Sequence, residues 1–210
     1  MTAWTVESLV AASAWTAERC RGFLDARADL ANGVRREPWR GSRAAGAVSD
    51  VGLADPRDRW LLGYREAAAW AELAPAADDL SGESPETLRR IASGYACTED
   101  EEGDVAPGDA AWSFVADYPL EALLGKMGGR DQWLEWLRDE SRFSMEEGRA
   151  GYGYLLVQDI REPVVLVEVD GRPLIWDGWH RIAAAVVKGQ RAIGAVVGHP
   201  KPAPVCAPGR

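Results

Sequence analysis

The stretch from Pro163 to Val197, PVVLVEVDGRPLIWDGWHRIAAAVVKGQRAIGAVV, constrains the fold of this chain most tightly. Val164 to Val169 is an apolar, β-branched run of strand length. Asp170-Gly171 follows, and Asp-Gly between two apolar runs signals a tight hairpin, because both turn positions require positive φ. Pro173-Leu174-Ile175-Trp176 reads as the return strand. After Asp177-Gly178-Trp179-His180-Arg181, the run from Ile182 to Lys188 is helix-like, Gly189 is placed to end it in the left-handed conformation, and Ala192 to Val197 reads as a further strand.

The chemistry concentrates where the second strand turns into the helix. Asp177 is expected to cap the helix, its carboxylate accepting from the backbone N–H of Trp179 or His180. Gly178 allows another group to approach the backbone closely. The first N–H groups of a helix are unpaired and lie at the positive end of its dipole, so an anion is favoured there. His180 and Arg181 add two side-chain donors, and an arginine grips a phosphate through two parallel bonds. Strand, glycine, helix start and two cationic donors together describe a phosphate site.

The order strand, turn, strand, DGxHRxxAA, helix, GQxxIxAVV resembles the ParB/sulfiredoxin superfamily. The likeness is good from about Arg161 to Val197, fainter back to Trp112, and does not reach the first hundred residues. Sulfiredoxin carries a Gly-Gly-Cys-His-Arg run at this point, ParB a Gly-Glu-Arg-Arg run, and the free-serine kinases and ParB-like nucleases an Asp-Gly-His-x-Arg type of run. Asp177-Gly178-Trp179-His180-Arg181 is nearest to the last group. The resemblance implies a ParB/sulfiredoxin-like mixed sheet with helices in the C-terminal half; with the mostly helical N-terminal region that apolar spacing indicates upstream, the expected class is α+β. The resemblance also implies a nucleotide-phosphate site on Gly178, His180 and Arg181, with ATP or CTP bound and His180 and Arg181 acting on the phosphates. Asp177 and Trp179 complete the candidate binding set, and besides capping, Asp177 could orient His180 or ligate a phosphate-bridging magnesium, which often needs only one or two protein carboxylates. In the kinases a catalytic carboxylate comes from the loop after the first strand, where Glu121 and Asp117 are the candidates here. As a first-turn carboxylate, Glu121 also suits the dipole of its own helix. Trp179 stands in place of the reactive cysteine of sulfiredoxin, which excludes peroxiredoxin repair, since that chemistry needs a sulfur nucleophile. His180-Arg181 replaces the Arg-Arg pair of the CTP-hydrolysing clamps.

Charge narrows the partners. The formal net charge is −9, which disfavours non-specific nucleic-acid binding. Residues 1–105 carry 12 basic against 19 acidic residues and residues 106–210 carry 12 against 14, so the half with the motif is nearly neutral. Cys20, Cys97 and Cys206 are odd in number and show no metal spacing. With only His180 and His199 beside them, no zinc site is expected. No signal peptide opens the chain and no run reaches membrane-spanning length, so a reduced cytoplasm and no membrane are expected.

Upstream, Thr5 to Asn32 reads as one helix, stopped at Asn32-Gly33. Val34 to Gly52, with Arg35, Arg36, Arg40 and Arg43, is either a solvated connection, the preferred reading, or an anion- or partner-binding loop. Asp55-Pro56 and Ser84-Pro85-Glu86 each open a helix with proline in the first turn. The block Glu99 to Asp104 repels itself and marks a boundary. Three regions result: a helical region 1–105, with a protein partner as its potential role; the nucleotide domain 106–200; and a Pro-rich tail 201–210. Asp131 is expected to cap a helix with Trp133, Leu134, Trp136 and Leu137 on one face, and Met145 to Gly153 is a lid or a plain loop. For His180, the alternative to a functional role is a satisfied core histidine. For Arg181, it is an ion pair with Asp177 or Glu162. For Trp179, base stacking and a rim position stand equally.

Three functions fit these residues: hydrolysis or transfer of a nucleoside-triphosphate phosphate; a metal-dependent ParB-like nuclease and ATPase of plasmid fertility-inhibition type; and a non-enzymatic module gated by nucleotide. Free-serine kinase activity is a weaker fourth. DNA is a partner only through a local patch.

Overall fold

The expected hairpin forms. In this computed structural model, Asp170 at φ 52° and Gly171 at φ 72° join strand β2 (Val164–Val169) to β3 (Arg172–Asp177). Both turn positions are left-handed, as an Asp-Gly turn requires. The structure describes residues 4–38, 42, 44, 46–73, 80–95 and 107–200, without the side chains of 70–73, 95 and 107. Cys97, Cys206, Arg40, Arg43, the acidic block 99–104 and the tail 201–210 lie outside them.

Helix α8 (Trp179–Val187) carries the chain from β3 back across the sheet to β4 (Ala192–Pro200), and β1 (Ala110–Pro119) closes the far edge. The sheet order is β1-β4-β2-β3, with β4 parallel to β2 and the other pairs antiparallel. The described residues thus form a mixed α+β fold: eight helices and a four-stranded mixed sheet. Strand β2 is apolar on both faces because both faces are covered. Val164 and Leu166 join one core with Ile182, Ala195 and Val197, and Val165 and Val167 join a second with Trp112 and Val196.

The remaining helices are α1 (Val6–Ser13), α2 (Ala17–Ala31), α3 (Pro56–Leu73), α4 (Pro85–Tyr95), the single turn α5 (Glu121–Leu124), α6 (Arg130–Glu146) and the single turn α7 (Tyr154–Val157). Residues of α1, α2 and α6 share the first core with the sheet, while Leu88 and Ala92 of α4 pack in the second. The helical first half therefore contributes to both faces of the sheet.

Two helix assignments need correction. Thr5 to Asn32 is two helices, not one. The Ser13 hydroxyl donates to Leu9 O at 2.7 Å and accepts from Trp15 N at 3.1 Å, Ala14 takes φ 60°, and Thr16 restarts the helix with its hydroxyl accepting from Arg19 N. Thr16 N and Oγ1 both donate to Asp50, at 3.0 and 2.8 Å. Serine and threonine compete locally for backbone bonds, and the break turns Trp15 inward. The other correction concerns Asp131: it lies in the first turn of α6, but Gly129 is the N-cap and no side chain among the described residues caps that end.

Helices α2 and α3 touch backbone to backbone. A Cβ on Gly22 would stand 1.9 Å from Trp60 O, and one on Gly63 2.0 Å from Arg19 O. Arg19 sits in that seam, fully buried. Its guanidinium meets Glu66 at 2.8 Å and Asp50 at 3.6 Å, donates to Ala150 O at 2.7 Å, and lies 4.1 Å from the centroid of the Trp15 ring. Cys20 is buried nearby, and burial pushes its thiol up to about 12, so it is an inert core residue.

Candidate functional site

The motif lies where expected, between β3 and α8, but its parts are used differently. Asp177 does not cap the helix. It remains in β3, paired with Val165. Gly178, at φ 98°, is the N-cap, and no side chain among the described residues caps that end of α8. The Asp177 carboxylate turns instead to Arg181, one helical turn on. The glycine is required by packing as well as by φ, since a Cβ there would fall 2.6 Å from Cγ1 of Val164. The close neighbour at this backbone is β2.

Arg181 is held on three sides. It donates to Asp177, to Glu162 at 3.0 Å and to Pro163 O at 2.9 Å. Both carboxylates anticipated as ion-pair partners are engaged, and the guanidinium side chain is 12% exposed.

His180 is stacked between two aromatic rings. The Tyr152 centroid is 3.6 Å away at 16°, and the Trp136 centroid 5.0 Å away at 24°. Its Nε2 lies 3.6 Å from a Glu140 carboxylate oxygen, beyond a good hydrogen bond, and is buried with no hydrogen-bond partner among the described residues. Burial holds the imidazole below its usual value, with Glu140 pulling the other way. Burial thus favours the neutral imidazole. Trp179 packs against Trp133 at 5.8 Å and Trp136 at 6.2 Å, so the protein's own rings already flank it.

Glu140 and Tyr152 were not singled out from the sequence. Helical spacing carried a signal for Glu140, because Trp133, Trp136 and Glu140 fall on one side of α6 at i, i+3 and i+7. Tyr152 carried none. It is fixed by its own N–H donating to Ser141 Oγ at 3.1 Å. Around it, Gly151 and Gly153 lie against Ser141, Ser13 and Trp15. This pinned segment is a packed loop.

Glu121 and Asp117 are not brought to the motif. Glu121 occupies the first turn of α5 and is exposed. Asp117 is exposed where the register of β1 shifts. Both belong to the β1 edge, whereas the motif leaves the β3 edge. Three strand spacings separate those edges, about 14 Å.

Three carboxylates gather at the helix start: Asp177 and Glu162 on Arg181, and Glu140 beside His180. Among the described residues no group of three or more His, Cys, Asp or Glu side chains is arranged to hold a metal ion, and no helix is long and apolar enough to cross a membrane. Comparison with family models, curated proteins and solved structures finds no match to this chain.

Proposed function

We propose that the protein binds a nucleotide through the amino end of α8, as a ligand-gated module of the ParB/sulfiredoxin kind. The observation that carries this reading is the asymmetry of the Arg181 cluster. Glu162 is 71% exposed while the Arg181 side chain is 12% exposed. An exposed ion pair contributes little, so a phosphate oxygen arriving at the uncapped helix start can take the place of Glu162 on Nη1. The excess of carboxylates suits a nucleotide carried as its magnesium complex, because magnesium is commonly bound through one or two protein carboxylates. The same excess disfavours DNA, whose backbone is held by neutralising cations.

A second reading, nucleoside-triphosphate hydrolysis, is favoured by one feature. Burial favours the neutral form of His180, and its buried Nε2 has no hydrogen-bond partner among the described residues, so a water admitted beside Glu140 would find a proton acceptor there. No carboxylate from the β1 edge joins it.

The test is a thermal-shift panel of ATP and CTP, each with and without magnesium, on the wild type and Glu162→Gln. A ligand at 100 times its Kd stabilises the native state by about 2.7 kcal/mol. Removing the competing carboxylate is expected to tighten binding several-fold. If neither protein is stabilised by either nucleotide, the reading fails. If both bind equally, the phosphate does not reach Arg181. Phosphate release that disappears in His180→Gln would favour hydrolysis over simple binding.

A further inference from the structure

The loop after α2 and the middle of α3 line a partly open cavity of about 400 Å³. That volume lies within the range of small-molecule sites, and no motif residue lines it. Its walls are of two kinds. Leu30, Val34 and Ala68 form an apolar side, while Arg35, Arg36 and Arg65 supply three guanidinium groups and Glu37 a carboxylate, with Asp29 pairing Arg36 from behind the lining. Three guanidinium groups gathered in one place stand out in a chain of net charge −9.

The carboxyl end of a helix repels anions, and α2 ends beside this cavity. Its last carbonyls are already engaged, however. Asn32 N donates to Ala28 O and Asp29 O, Gly33 N to Leu30 O and Val34 N to Asp29 O. The surrounding groups are also set in place. Asp29 holds Arg36 through Nε at 3.2 Å and Nη2 at 3.3 Å and accepts from the Tyr64 hydroxyl at 2.6 Å. Arg65 donates to the carbonyls of Ala44 and Ala47. Arg65, tied to two carbonyls, loses little freedom when a ligand arrives.

We infer that this cavity binds a small amphiphilic anion: an aromatic or aliphatic body against Leu30, Val34 and Ala68, with one phosphate or carboxylate head against Arg35 and Arg36. Planar guanidinium groups suit such heads, and the apolar wall supplies the burial that a bare ion would lack. The basic loop is then a binding element and not only a solvated connection.

Calorimetric titration of the full chain with 1-naphthyl phosphate tests this, with inorganic phosphate and 1-naphthol as the separate halves. The expected result is one saturable site, with each half weaker by about tenfold or more. Arg35 and Arg36 are exposed, so the double variant Arg35→Ala/Arg36→Ala keeps its fold and is expected to lose about tenfold in affinity. Ala68→Phe, which fills the apolar side, is expected to block binding without changing charge. Glu162→Gln leaves this site untouched and separates it from the start of α8. No saturable binding, unchanged binding in the double arginine variant, or binding that responds only to Glu162→Gln would overturn the inference.

Discussion

The protein contains two arginines that each face a pair of carboxylates, and they differ in their access to water. Arg19 is 0% exposed, with Asp50 at 3% and Glu66 at 11%. Arg181 is 12% exposed, with Asp177 at 32% and Glu162 at 71%. Around Arg19 the partners are the protein's own and are buried or nearly so. Trp15 lies over the guanidinium, Ala150 accepts from it, and Gly63 brings α3 against its backbone. Around Arg181 one partner stands in solvent. The same chemistry makes an internal lock in the first case and an exchangeable contact in the second, because the cost of leaving a charge unpaired depends on whether water can replace the lost partner.

The sharpest way to break that comparison is to remove each cation in turn. Arg19→Met leaves Asp50 and Glu66 buried without their counter-ion. Burial already pushes the Glu66 carboxyl up, and Arg19 is the main influence opposing that. The expected loss is about 3–5 kcal/mol, read in urea as a lower midpoint. For a chain of this size it corresponds to a fall in Tm of roughly 6–20 °C. Arg181→Met releases Glu162 to solvent and leaves Asp177 partly hydrated, with an expected loss of about 1–2 kcal/mol. Equal losses in the two variants would mean that exposure does not separate the clusters.

A smaller effect concerns the neighbour of Arg181. In the folded protein the pKa of His180 is lowered from 6.5, chiefly by burial. The unfolded chain therefore binds a proton first as the pH falls. Stability is complete at neutral pH and is lost progressively below about 6.5, down through the lowered folded value. His180→Phe keeps a ring between Tyr152 and Trp136 and removes the titration. Wild type is expected to lose stability between neutral pH and pH 5 relative to this variant, measured as urea midpoints at each pH. Parallel profiles would mean that His180 is as free to protonate in the folded chain as in the unfolded one.

The two clusters also differ in how far the sequence reveals them. The elements around Arg181 are local: the Asp-Gly turn, the strand runs and Gly189 at φ 71° each follow from a few adjacent residues. The proline starts of α3 and α4 were equally legible. So were Asp177 and Glu162 as partners of Arg181, the first being four residues away on the same turn. The cap was misread because Asp177 stays in the strand while Gly178 takes the left-handed position. The Arg19 lock has no such signature. Its partners lie at residues 50, 66 and 150, and it forms only after the break at Ala14 turns Trp15 inward. Helical periodicity between Thr5 and Asn32 carries straight across that break, since it follows apolar spacing and not the competition of Ser13 and Thr16 for backbone bonds. The ring sandwich around His180 stays hidden for a similar reason, because Tyr152 arrives from a loop with no periodicity.

The smallest expected effect marks the outer limit of the Arg181 neighbourhood. If the ligand is held at the start of α8, then Glu121, exposed on the opposite edge of the sheet, neither touches it nor tunes Arg181. Across about 14 Å of ionic solution its charge is largely screened, since the Debye length at physiological salt is about 8 Å. Glu121→Gln is therefore expected to leave the nucleotide thermal shift unchanged and to alter stability by no more than about 0.5 kcal/mol. A residual change would come from the lost first-turn carboxylate of α5 and would be the same with and without ligand. A loss of nucleotide response in this variant would instead place the working site across the sheet. Arg181 would then be a second structural lock, merely a wetter one than Arg19.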